Sequence, residues 1–267
     1  MTALREAMKR IEADPDDAPA MTLMGELSRD GLGLRRNPEE AVRWYRLAAD
    51  RGDPQGAIAL GVSYLLGVGV AQDAKAAVPW LELAAAAGHP GAVYNLGMLA
   101  SQGEAPDHVK AAALFRRAAE LGNSEAAYAL GLQYLRGRGV TRDGPRAAQW
   151  LKRAAADNLV AAQIEYAIQL FNGDGVPVDE TTAARYFRMA AATNNPVAAN
   201  RLARLLAMGR GAPRDMIEAM KWHILARTAG VQDEWLDSQL KGLSDRDRAT
   251  VDEAVRRHIG GADARAP

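Results

Sequence analysis

Five short Gly-x-Gly turns are the residues whose type and spacing most invite chemistry: Gly31-Leu32-Gly33, Gly67-Val68-Gly69, Gly137-Arg138-Gly139, Gly173-Asp174-Gly175 and Gly209-Arg210-Gly211. Such turns cradle phosphates when they join a β-strand to the start of a helix, because bare backbone amides then point at the anion. No strand pattern precedes any of the five, and they recur at one phase, so they read as architecture. His89, His108, His223 and His258 are scattered, with no partner at the i+3 or i+4 spacing of a metal pair, and read as surface or cap residues. Asp14, Asp16 and Asp17 resemble the start of a calcium loop but lack its central glycine and distal glutamate, so a turn with a helix cap is the reading. Lys9-Arg10 and Arg35-Arg36 are too few for a nucleic-acid stripe. With no cysteine in the chain, disulfides, thiolate metal sites and cysteine nucleophiles are excluded. The sequence calls for no cofactor, no metal and no catalytic residue, and the expectation is a protein that is not an enzyme.

What must position these turns is a repeat. Trp44, Trp80, Leu114, Trp150, Tyr186 and Trp222 are spaced by 36, 34, 36, 36 and 36 residues, and Gly52, Gly88, Gly122, Asn158, Asn194 and Gly230 follow eight residues behind each. A period of this length marks a solenoid of helical hairpins, in which stacking neighbours supplies the core that one unit cannot build. Each unit reads as a helix A, a glycine loop, a helix B and a short return. Helix A centres on Met24-Gly25, Leu60-Gly61, Leu96-Gly97, Leu130-Gly131, Tyr166-Ala167 and Leu202-Ala203, where a small second residue implies close helix approach. Asn37, Asp73, Asp107, Asp143, Asp179 and Asp215 stand where helix B begins and read as its N-caps. Helix B then presents an alanine, the aromatic series and a second alanine at spacings of three and four, expected to form one buried stripe. The closing Gly/Asn series suits a left-handed helix C-cap.

This pattern of Ala, Leu-Gly, Gly-x-Gly-Val, Asp, Ala, Trp, Ala-Ala and Gly resembles the Sel1-like repeat family, relatives of the tetratricopeptide repeats, over about Ala18 to Val231. The resemblance implies an all-α, right-handed α/α solenoid whose A helices line a concave groove for protein or peptide partners, in members that often act as adaptors in bacterial signalling, envelope or secretion systems. The expected organisation is one elongated array: a partial repeat at 1–17, six hairpins at 18–53, 54–89, 90–123, 124–159, 160–195 and 196–231, capping helices at 232–259 and a disordered tail at 260–267. Departures are expected at the third loop, cut short before Asp107, and at Pro79, which should kink its helix. Helix geometry of about 100° per residue turns Tyr94, Asn95, Met98, Tyr128, Leu132, Glu165, Ile168, Asn200, Arg201 and Arg204 toward the groove. Tyr94 and Tyr128 would stack on a partner's apolar side chains, while Asn95, Glu165, Arg201 and Arg204 set its register; packing between neighbouring helices is the competing role for Met98, Leu132 and Ile168.

Lysine plus arginine balances aspartate plus glutamate at 33 each, which leaves no net field to gather nucleic acid or an anionic membrane. No apolar run reaches the roughly 20 residues of a membrane span. The expected partner is therefore a protein or peptide, with no nucleic acid, no membrane insertion and a monomeric chain. As written the sequence is cytoplasmic. Its opening half-hairpin, Leu4 to Ile11, also suggests a preceding segment with an export signal, which would place the protein in the periplasm. Two other functions stay open: a glycan- or peptidoglycan-associated envelope protein, and a structural or self-associating spacer.

Overall fold

A computed structural model describes residues 2–102 and 105–263. Among the described residues every regular element is a helix. They are α1 (Thr2–Ala13), α2 (Ala18–Asp30), α3 (Pro38–Asp50), α4 (Pro54–Leu66), α5 (Ala74–Ala86), α6 (Pro90–Ser101), α7 (His108–Glu120), α8 (Ser124–Arg136), α9 (Gly144–Ala156), α10 (Val160–Asn172), α11 (Glu180–Ala191), α12 (Pro196–Met208), α13 (Met216–Thr228), α14 (Glu234–Lys241) and α15 (Asp245–Asp263). The even-numbered helices from α2 to α12 are the A helices, and α3 to α13 the B helices. The fold class is an all-α solenoid of helical hairpins. Two compact units divide the chain, Met1–Gln133 with Gly137–Thr141, and Tyr134–Arg136 with Arg142–Pro267.

Each B helix begins where an Asn or Asp side chain takes up a free amide. Asn37 accepts from Glu40, Asp73 from Lys75 and Ala76, Asp107 from Lys110, Asp143 from Arg146, Asp179 from Thr182 and Asp215 from Glu218. Removing one such cap, in Asp73→Ala, is expected to cost about 1 kcal/mol, read as a lower urea midpoint with an unchanged slope. The A helices carry a second cap series one residue past the closing Gly/Asn: Asp53, His89, Asn123 and Asn195 accept from the third amide onward, and Asp17 does so for α2. Leu159 breaks that series and caps nothing with its side chain. Helix B ends with a left-handed residue in every repeat, and the two that are not glycine, Asn158 and Asn194, hold φ of 64° and 61°. Asparagine is among the few residues that tolerate that conformation. Pro79 lies inside α5, which nonetheless runs its full thirteen residues.

The small residues of helix A face two different neighbours. A Cβ on Gly61 would lie 2.8 Å from Leu81 Cδ2, and one on Gly97 2.8 Å from Phe115 Cδ1, so this series admits the following B helix. A Cβ on Gly56, five residues earlier, would lie 2.6 Å from the Ala48 methyl of the preceding repeat. One series closes the hairpin and the other stacks the hairpins. The buried stripe of helix B also differs from the expected one. Its alanines are fully buried and Tyr186 and Trp222 are buried as expected, but Trp44, Trp80, Leu114 and Trp150 are only half-buried, and in the first five repeats the residue after that position is the one at most 2% exposed: Tyr45, Leu81, Phe115, Leu151 and Phe187. A step of one residue is about 100° of helix rotation, enough to move the indole from the hairpin interior to its margin. There Trp44 packs against Ala18, Met21 and Ala48 beside Ile11.

In four of the five Gly-x-Gly turns the second glycine stacks the loop on the preceding repeat, whereas Gly33 of the first turn faces only the Leu4 side chain, 3.5 Å from a Cβ placed on it. A Cβ on Gly69 would overlap the Pro38 carbonyl, one on Gly139 that of His108, one on Gly175 that of Gly144 and one on Gly211 that of Glu180. These four turns are therefore backbone-to-backbone contacts, and the amides of the first glycine and of the residue after it bond back to the end of helix A. Of the shortened third loop, Gly103-Glu104-Ala105-Pro106, the first two residues lie outside the described residues. At the amino end, Arg10 donates twice to Asp17, at 2.8 and 2.7 Å, and fixes α1 to the start of α2. At the carboxyl end α15 packs on α13, its start held by Ser244 Oγ accepting from Asp247 at 3.1 Å. It runs through Ile259 to Asp263, four residues past its expected end; 264–267 lie outside the described residues.

Candidate functional site

The ten residues expected on the A-helix face fall five in each unit. In the first, α6 carries Tyr94, Asn95 and Met98, and α8 carries Tyr128 and Leu132; all five are half-buried. Tyr94 turns its ring onto Phe115, with centroids 5.9 Å apart and planes at 41°. Burial, aided by the charge of Glu125, pushes its phenol pKa up. This ring belongs to the hairpin core, so removing it would cost packing as well as any contact with a partner.

In the second unit, α10 carries Glu165 and Ile168, and α12 carries Asn200, Arg201 and Arg204. Here the folded chain opens a cleft of about 290 Å³ between α10 and α12. Ile168 and Phe171 from α10, Phe187 from α11 and Leu205 from α12 give it apolar walls, with Phe187 and Leu205 buried. Met208 borders it at 45% exposed, beside Asn172. Three guanidinium groups, Arg201, Arg204 and Arg210, stand around these walls, and no carboxylate lines them.

The three arginines are not equivalent. Arg210 lies 4.3 Å over the Phe171 ring and is ion-paired with Glu180, whose carboxyl it draws to lower pKa. Arg204 donates to both oxygens of Asp233, at 2.6 and 2.9 Å, and Asn200 adds a third bond at 3.0 Å. Asp233 also caps α14 by accepting from the Leu236 amide. Burial alone would push the Asp233 carboxyl up, but the hydrogen bonds from Arg204, Asn200 and Leu236 outweigh it and bring the carboxyl to about 2. Arg204 further lies over the Trp235 ring, 5.6 Å from its centroid. Arg204, expected to set a partner's register, and Asn200, expected to face the groove, thus hold down the helix that follows the last repeat. Arg201 is exposed and makes no ion pair or hydrogen bond to any described residue.

Of the expected residues, the structure gathers Ile168, Arg201 and Arg204 on the cleft and places Asn200 behind it at Asp233. Glu165 is half-buried on α10 and does not line it. Phe171, Phe187, Met208 and Arg210 were not expected; the available signal was that the cleft uses two of only three phenylalanines in the chain. The histidines correct another expectation. His89 is a cap, accepting from the Ala92 amide at 3.3 Å, but His223 is fully buried and meets Asp237 Oδ1 through Nε2 at 2.9 Å. It occupies the core position held by Tyr45, Leu81, Phe115, Leu151 and Phe187 in the earlier repeats, a polar substitution matched to Asp237 on α14. His258 sits edge-on to Trp222 at 5.1 Å, and burial lowers its pKa.

A Ser-x-x-Lys spacing occurs on α14 at Ser238 and Lys241, where the serine hydroxyl donates to the Trp235 carbonyl at 2.7 Å and both residues face solvent. That bond directs the hydroxyl into its own helix and away from the lysine. Among the described residues no group of three or more His, Asp or Glu side chains could hold a metal ion. No described helix is long and apolar enough to cross a membrane.

The chain is similar to a Sel1 repeat protein from Oxalobacter formigenes, at 26% identity, with 87% of this chain and 100% of that one covered and a TM-score of 0.71. It is also similar to c5321, described as a protective antigen of uropathogenic Escherichia coli with an SLR fold, at 26% identity over 96% of this chain and 63% of that one, TM-score 0.61. No curated protein matches it. The Sel1 repeat pattern matches residues 18–53, 54–89, 90–123, 124–159, 160–195 and 196–231 in unbroken succession. With the same hairpin recurring six times and its caps, glycines and alanines in register, this protein belongs to the Sel1 repeat family.

Proposed function

We propose that the protein is a non-enzymatic interaction scaffold that holds a segment of another protein along the open face of its A helices. One observation carries this reading. The ten residues expected to face a partner on α6, α8, α10 and α12 are all half-buried or exposed, while the alanines at Ala92, Ala126, Ala162 and Ala198 on the same helices are fully buried. These four repeats therefore present a ridge of partly exposed side chains of mixed character, the composition that protein interfaces favour. Sel1 repeats generally serve contacts between proteins, which supports the same reading.

Selection from a random peptide display library tests it, with two A-face variants, Asn95→Arg and Glu165→Arg, and one B-helix variant, Met189→Glu, screened beside the parent. Asn95 and Glu165 are polar and half-exposed, so the substitutions should leave helicity and melting temperature unchanged. The expected result is a set of binders weakened at least about ten-fold by an A-face variant and unaffected by Met189→Glu. Binders lost only with Met189→Glu would move the site to the B helices. An absence of binders, with retention on peptidoglycan or concentration-dependent sedimentation, would favour the glycan or spacer function instead.

A further inference from the structure

We propose that the cleft between α10 and α12 is the anchoring subsite for an acidic segment of a partner protein, which inserts one aromatic or branched aliphatic side chain while an adjacent carboxylate pairs with Arg201. This deepens the scaffold reading and rests on it. Shape comes first. A cleft of about 290 Å³ stands at the low end of the roughly 300–1,000 Å³ that bury a whole small ligand, and suits a single side chain. Its walls match that occupant: Ile168, Phe171, Phe187 and Leu205 are apolar, and the half-buried ones lose water only when the cleft is filled.

Charge then selects the flanking residues. Arg204 and Arg210 are already neutralised by Asp233 and Glu180, so the local balance is set by Arg201, which has no acidic neighbour on the cleft and no ion pair among the described residues. An incoming carboxylate gains this cation without having to displace an internal partner. A basic segment would face an uncompensated guanidinium at the cleft mouth, so the site discriminates by repulsion as well as attraction.

The ligand is an extended chain rather than a free small acid because the apolar surface does not stop at the cleft. Met208 at its border is 45% exposed, and Trp235, beneath Arg204, is 38% exposed. A segment leaving the cleft past Arg204 has a second apolar platform to cover. Asn172, exposed on the cleft lining, offers an amide able to donate to and accept from its backbone.

The test is fluorescence polarisation with synthetic labelled heptapeptides on the full chain. Each has a central Phe, Leu, Ile or Trp flanked by Asp and Glu; control peptides have a central Ala, flanking Lys, or are replaced by free phenylacetate as an unlabelled competitor. The expected result is saturable binding of at least one acidic apolar-centred peptide, lost with central Ala or flanking Lys, weakened at least about five-fold by Arg201→Glu, and falling as salt rises. Met208→Glu should weaken it too, and both variants should keep the parent's melting temperature because neither side chain is buried. Partial retention in Arg201→Lys would support a charge contact. Three outcomes overturn the proposal: no acidic peptide binding above the Ala- and Lys-containing controls, binding insensitive to Arg201→Glu, or competition by phenylacetate as strong as by unlabelled peptide. If display selection still yields binders sensitive to Asn95→Arg or Glu165→Arg, the scaffold reading survives and only the acidic anchor falls.

Discussion

Replacing Gly69 by alanine is expected to destabilise the protein by roughly 3 kcal/mol or more, while Gly52→Ala costs only about 1 kcal/mol, although both glycines adopt the same left-handed backbone conformation. Their φ values are 72° and 82°. The conformational penalty of adding a Cβ is therefore nearly equal at the two sites, and the difference between the variants isolates packing. At Gly52 the new methyl meets nothing within 4 Å. At Gly69 it would stand 2.5 Å from the Pro38 carbonyl carbon and 3.0 Å from the Glu39 amide. These are backbone atoms at the start of α3, and they cannot swing aside as a side chain would. Relief requires separating two hairpins, and the densely packed interior resists such a shift. Urea denaturation followed by helical ellipticity measures both variants. Equal losses at Gly52 and Gly69 would show that the loop stacking is soft and would remove the structural account of the Gly-x-Gly turns.

The second large effect is expected at Asp233. Asp233→Ala removes a two-point ion pair with Arg204, the bond from Asn200 and the N-cap of α14, for a cost of about 2–3 kcal/mol. That figure is set below the 3–5 kcal/mol of a fully buried pair because Arg204 remains 43% exposed. The same network predicts a pH dependence. The Asp233 carboxyl is lowered in the folded state to about 2 from its ordinary 3.8. Its stabilisation is accordingly complete above about pH 5, where the unfolded carboxyl is also ionised, and is lost as pH falls through 3.8 toward 2, with a magnitude of roughly 2 kcal/mol. Melting curves of the parent and Asp233→Asn across this range provide the check. The gap between them should narrow as the solution is acidified from pH 4 to pH 2. A constant gap would mean that Arg204 does not select the ionised carboxyl.

Much of this architecture is local and therefore legible in the residues themselves. A cap is a contact between a side chain and an amide three residues away, so the six Asn/Asp positions that open the B helices carry their own structural consequence. The same holds for Asn158 and Asn194, whose left-handed backbone follows from residue type and place in the period. Rotation within a helix is less well determined. Residues 44 and 45 are both large and apolar, and only the position of α2 and α4 decides that Tyr45 is the buried one.

The candidate site lies beyond such reasoning because its parts come from different helices. Position along α12 turns Asn200, Arg201 and Arg204 outward, but it cannot show that Asp233, 29 residues after Arg204, takes two of the three. Nor can it place Phe187 of a B helix between two A helices to wall the cleft. By itself the sequence determined the period, the helices, their caps and the small residues that let hairpins close, since each depends on chain neighbours or on a repeating phase. The tertiary structure decided which arginine of the cleft carries no ion pair among the described residues and where an apolar cleft opens, since charge pairing and cavity shape arise only when residues distant in sequence compete for the same space.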